Sequence, residues 1–131
     1  MILEVYDLEC LSNLFTYTGY CPHENKYYQF VICQWRNDSK ELWEHLHRDK
    51  IIQIGFNNNS YDYTLEHHFL RHFKGEYEFM SGLDIARFLY NKSQEIINQQ
   101  FSEIADKNKF IQQIDLYKIW HYSNPARKTS C

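Results

Sequence analysis

Residues 51–56 read IIQIGF, and this short run constrains the chain more than any other. Its apolar side chains occupy both parities of an extended backbone, with Gln53 the exception. A strand that is apolar on both sides belongs inside a sheet covered by helices, so the run predicts an α/β fold. The flanking segments agree. Upstream, Lys40–Arg48 places Leu42, Trp43 and Leu46 on one helical face, behind the N-cap candidates Asn37, Asp38 and Ser39. Downstream, Ser60 can cap a helix from Tyr61 to about Phe73 that turns Leu65, Phe69, Leu70 and Phe73 inward.

Three strands precede this unit. Ile2–Asp7 reads as a buried strand. Leu14–Tyr20 alternates and is rich in β-formers, and Ser12 and Asn13 between the two imply a hairpin. CPHENK, residues 21–26, is turn chemistry, and Tyr27–Trp35 is a third, antiparallel strand. After the second helix, Gly82–Lys107 reads as a long helix with Ile85, Phe88, Leu89, Ile96, Ile97, Phe101 and Ile104 at helical spacing. Phe110–Trp120 reads as a fifth strand and the tail as a loop. The predicted order is β-β-β-α-β-α-α-β: a mixed five-stranded sheet, three antiparallel strands first and α/β units after.

The 131 residues make a single domain. Apolar residues are 44% and aromatics 18%, with four Gly and two Pro, which excludes a disordered chain. The net charge of −3 argues against a protein that coats nucleic acid, but not against an enzyme that meets it at a small metal site. No run reaches the roughly 18 apolar residues of a membrane span, and MILEVYDLEC lacks a basic n-region, so a cytoplasmic protein without a membrane partner is expected. Cys10, Cys21, Cys33 and Cys131 show no CxxC spacing and read as free thiols.

Asp7 and Glu9 share a parity on the first strand, so both leave one face. Asp62 follows the fourth strand, in the first turn of a helix. Ligand sites of open α/β sheets lie beyond the strand ends. If strands one and four are adjacent and parallel, the three carboxylates converge there. Close carboxylates stay ionised only beside a compensating charge, most simply Mg²⁺ or Mn²⁺. The plain alternative is a common strand-end D-x-E together with an Asp favoured by a helix dipole.

Asp7-Leu8-Glu9 after an apolar strand resembles the first motif of the DEDD 3′–5′ exonuclease superfamily. GFNNNSYD, Gly55–Asp62, resembles its second motif, an Asn shortly before an aromatic–Asp pair. The likeness is greatest to the proofreading exonuclease domain of family B and phage-type DNA polymerases and covers roughly residues 1–75 well. It implies a ribonuclease H-like sheet flanked by helices and two Mg²⁺ or Mn²⁺ ions. By this resemblance Asp7 ligates both metals, Glu9 binds one and orients the attacking water, and Asp62 holds the second. Asn57 or Asn58 holds the 3′-terminal nucleotide, the triple Asn leaving the register open, and Tyr61 braces the strand. The substrate it implies is a single-stranded 3′ end of DNA, with RNA left open, and the partner is a downstream polymerase or completing segment.

The family's third motif, a Tyr or His followed by Asp on a later helix, is missing. Asp115 lies in a strand, and Asp84 has Met80 where the motif wants a tyrosine. The domain is therefore expected to be incomplete at its C-terminal end. Without a helix closing over the fifth strand, Ile114, Leu116 and Ile119 would be partly exposed. An intein begins with Cys, so a gene split at an intein would end as this chain does at Cys131; a truncated fragment would too. The alternative function is a non-catalytic ribonuclease H-like module that binds nucleic acid or a partner protein. His45 and His47 diverge on their helix, as do His67 and His68. His68 and His72 have the i, i+4 spacing that can chelate zinc, but with no third ligand evident they read as helix surface. Tyr17, Tyr20, Tyr27, Tyr28 and Phe30 read as core rather than as base-stacking residues, and Arg127 and Lys128 as a solvated loop end.

Overall fold

A computed structural model describes residues 2–48, 51–55, 62–99 and 111–115. Strands β1 (Ile2–Leu11), β2 (Leu14–Cys21) and β3 (Lys26–Cys33) form an antiparallel meander. Helix α1 (Ser39–Leu46) leads to β4 (Ile51–Gly55), which pairs parallel to β1 from Ile2↔Ile51 to Val5↔Ile54. Helix α2 (Asp62–His72), a 3₁₀ turn at Tyr77–Phe79 and helix α3 (Gly82–Gln99) follow. A short fifth strand, β5 (Gln112–Asp115), lies parallel along β4. The order across the mixed sheet is β3-β2-β1-β4-β5. The doubly apolar run is thus an inner strand, as its pattern demanded. Among the described residues no helix is long and apolar enough to cross a membrane.

Several boundaries move for identifiable reasons. β1 runs past Asp7 because β2 continues to pair with it as far as Leu11↔Leu14. β3 stops at Cys33, where the Cys33 amide turns back to donate to the Arg36 carbonyl at 2.7 Å. Asp38 precedes α1 without capping it. Its carboxylate accepts instead from the Val31 amide at 3.0 Å and from Arg36 at 2.6 Å. Gly82 opens α3 because a Cβ there would sit 2.3 Å from the Cys33 carbonyl oxygen. The proposed Ser60 cap, the helix beyond Gln99 and the strand beyond Asp115 lie outside the described residues.

Among the described residues, helices cover one face of the sheet. Glu4, Tyr6, Leu8, Phe15, Tyr17, Ile32 and Gln53 are buried. His45 of α1 reaches Glu4, Glu66 of α2 reaches Gln53, and Ser93 of α3 bonds Cys10. Leu42, Leu46, Leu65, Phe69, Phe73, Ile85 and Leu89 complete this core. The opposite face carries Leu3, Val5, Ile52, Ile54 and Ile114, which the register sets side by side on β1, β4 and β5. No described helix packs there, and Val5 and Ile114 are 43% and 39% exposed.

Two expectations for the core fail. Phe88 and Ile97 share the helical period of α3, yet both are more than half exposed. The stripe that meets the sheet is Ile85, Leu89, Ser93 and Ile96, and Phe88 lies off it beside a cavity against α2. Tyr27 is exposed as well, because β3 is the edge strand and Tyr27 sits on the uncovered face. Tyr17 is fully buried, in keeping with a core role, and Phe30 packs partly buried against the same cluster.

Candidate functional site

The parallel pairing of β1 and β4 places the acids. β4 ends at Gly55, while β1 runs on to Leu11, so the end of β1 beyond Val5 lies open to the segment that follows β4. Asp62, the first residue of α2, fills this position. Its carboxylate accepts a hydrogen bond from the Leu8 amide and feels the charge of Asp7. Burial, then Asp7, push the Asp62 carboxyl up to about 7, against the lowering by the Leu8 amide. Asp7 is exposed on the uncovered face, and Glu9 stands two residues on with the same orientation.

Asp62 is thus near enough to Asp7 at a strand end to feel its charge, and Glu9 shares the face of β1 that carries Asp7. Among the described residues no three His, Cys, Asp or Glu side chains are already set around a metal position. The pair nevertheless suits a hard cation. Two carboxylates that feel one another's charge, one of them raised chiefly by burial, gain from a divalent charge between them. Cys10, close to Asp62, is no competing nucleophile or ligand. Burial and the Asp62 charge raise its thiol to about 11, despite a bond to Ser93. Asn57, Asn58 and Tyr61 lie outside the described residues.

Beneath the site runs a buried polar network that pattern reading missed. Glu4 is fully buried and receives Tyr17 Oη, Cys21 Sγ at 3.1 Å, His45 Nε2 at 2.9 Å and an Arg48 guanidinium nitrogen at 2.7 Å. Burial drives its carboxyl up, but His45, Tyr17 and Cys21 more than reverse this and hold it at about 2. Gln53 Nε2 donates to Tyr17 Oη at 3.0 Å and to Glu66. Gly19 makes room for the network, since a Cβ there would lie 2.5 Å from Glu4 Oε1. The clue to Glu4 was available: it shares the parity of Tyr6 and Leu8 on β1. For Glu66 there was none, because helical spacing does not reveal that its partner Gln53 is buried beneath it.

Glu66 is almost wholly buried, and its Oε2 has no hydrogen-bond partner among the described residues, nor has Gln53 Oε1. Burial raises its carboxyl to about 8, with the charges of Glu4 and Asp62 adding to the rise and Gln53 opposing it. His67 Nδ1 stands 3.8 Å from Oε2. The folded state therefore holds a proton that the unfolded chain releases near pH 4.5, and this stabilisation is lost as pH rises through 8. Asp62 acts in the same direction up to about 7. His68, held down near 4 by burial and by His72, Lys92 and Arg71, acts oppositely, but only below its ordinary value. Between pH 6.5 and 8, urea unfolding should lose about 2 kcal/mol, and Glu66→Gln should flatten most of that slope. An unchanged slope in the variant would mean that Glu66 is ionised in the fold.

No protein-family model, curated protein or solved structure matches the chain.

Proposed function

We propose that the chain is the N-terminal part of a metal-dependent 3′–5′ exonuclease domain of ribonuclease H-like architecture, the proofreading domain of a phage-like DNA polymerase. The observation that supports this most is the placing of Asp62, bonded to the Leu8 amide, where it feels the charge of Asp7 at the end of the parallel β1–β4 pair. The meander followed by parallel strands in the order β3-β2-β1-β4-β5 also favours it. Asp7 and Asp62 would offer oxygen donors to Mg²⁺ or Mn²⁺, and Glu9, on the face of β1 that carries Asp7, would bind one cation and accept a hydrogen bond from the attacking water. Asn57 or Asn58 and Tyr61 would hold the 3′-terminal nucleotide of a single strand. When bound, such cations would activate a water and stabilise the negative charge that develops on the leaving oxygen. A cation entering beside Asp62 would displace its proton, so binding should strengthen as pH rises toward neutrality.

A second reading, a module that binds nucleic acid or a partner without cleaving, is favoured by the lack of a ready three-ligand group among the described residues. Calorimetric titration with Mn²⁺ tests the first. The chain should bind weakly and release protons, and Asp7→Ala should abolish the binding. Equal affinity in wild type and Asp7→Ala would remove the metal site and leave the second reading.

A further inference from the structure

Helices α2 and α3 enclose a cavity of about 460 Å³ whose lining includes His68, His72, Glu76, Tyr77, Lys92 and Glu95. None of the carboxylates at the strand ends contributes to it. His68 and His72 stand one turn apart with ring centroids separated by 4.4 Å. Each ring is oriented by a further group. Nδ1 of His72 lies 2.6 Å from Glu76 Oε2, and Nε2 of His68 lies 2.9 Å from Tyr77 Oη. Metal-binding imidazoles are usually held in this way, by an acceptor on the nitrogen that does not ligate. The nitrogens left to ligate are Nδ1 of His68 and Nε2 of His72. Glu95 lines the same cavity from α3, where it is exposed and 3.4 Å from Lys92.

We propose that His68 and His72, with Glu95 from the facing helix, form a binding site for a borderline divalent transition metal such as Zn²⁺. The site is distinct from the hard-cation position at Asp7 and Asp62, because imidazole nitrogen favours zinc over magnesium. The two histidines are its fixed part. Glu95 is not yet in place as a third ligand, in keeping with the lack of any preset three-ligand group among the described residues. It leaves Lys92 to complete the set, and water takes the remaining position. A metal bound there would pin α2 to α3.

The test is titration of the whole chain with Zn²⁺ in competition with a chromophoric chelator, followed by thermal melting with and without the metal. One equivalent should bind and raise the melting temperature. His72→Ala and His68→Ala should each lower the affinity by about tenfold or more, and Glu95→Gln by less. Asp7→Ala should leave it unchanged, and excess Mg²⁺ should not compete. His72 is partly exposed, so its variant should keep the wild-type melting temperature without metal. Histidine ring nitrogen shifts in the wild-type chain give a reading that needs no variant: those of His68 and His72 should move on zinc addition. No binding, unchanged affinity in His72→Ala, or loss only in Asp7→Ala would overturn the proposal.

Discussion

On the proposed exonuclease reading, a 3′-labelled single-stranded oligonucleotide incubated with this 131-residue chain and Mn²⁺ should remain intact, whereas a chain supplied with the third motif of that family should shorten it. In the chain so supplied, Asp7→Ala should lower the rate on the order of a thousandfold or more, about 4 kcal/mol of barrier. The argument is one of ligand supply. In-line hydrolysis between two cations needs each ion fixed by enough carboxylate oxygens to hold water and phosphate in register. Asp62 feels the charge of Asp7, and Glu9 shares the face of β1 that carries Asp7, but among the described residues they do not form a three-ligand group. The motif that would add a fourth carboxylate and an orienting Tyr or His is absent from the sequence. Among the described residues no helix covers the row of Val5, Ile54 and Ile114. Asp7-dependent degradation by the 131-residue chain itself would show that its catalytic set is already complete and differently composed.

The antiparallel meander, the inner position of β4 and the place of Asp62 in the first turn of the next helix were all legible in the sequence. Each rests on a local signal: period-two alternation, a doubly apolar run, or a strand followed at once by a helix. Which face the helices cover was not. IIQIG is apolar on both sides whether one side or both are covered. Helical spacing in α3 likewise grouped Phe88 and Ile97 with Ile85 and Leu89, because it cannot say how wide the contacted stripe is. The polar interior was hidden for a different reason. Glu4, Gln53 and Glu66 come from three elements, and none is unusual until the sheet register sets Glu4 beside Gln53 and lays α2 over both. His68 and His72 were visible as a spaced pair. Their partners Glu76, Tyr77 and Glu95 depend on how the 3₁₀ turn and α3 fold back against α2.

Glu4→Ala should be the most damaging single substitution within the described core, costing about 3–5 kcal/mol in urea unfolding. Glu4 is the one carboxylate that His45, Arg48, Tyr17 and Cys21 share. Removing it leaves a guanidinium and an imidazole facing a vacated site, and a buried charge without its counter-ion costs more than the pair was worth. Since small domains have only about 5–15 kcal/mol in hand, a large unfolded fraction is expected. Glu4→Gln, which keeps an acceptor and the shape, should cost less. The pH dependence carries the same signature. The carboxyl is held at about 2 against 4.5 unfolded, so its contribution is present above pH 4.5 and disappears as pH falls through 2. That acid limb should be missing in Glu4→Gln. Gly19 supplies the decisive control. A methyl group at Gly19 would press on the Glu4 carboxyl, at 2.5 Å from Oε1, so Gly19→Ala alone should destabilise the chain. Combined with Glu4→Ala the clash has no partner, and the two losses should fall short of their sum by about 1 kcal/mol or more. Strict additivity would mean that Glu4 does not occupy the notch that Gly19 leaves.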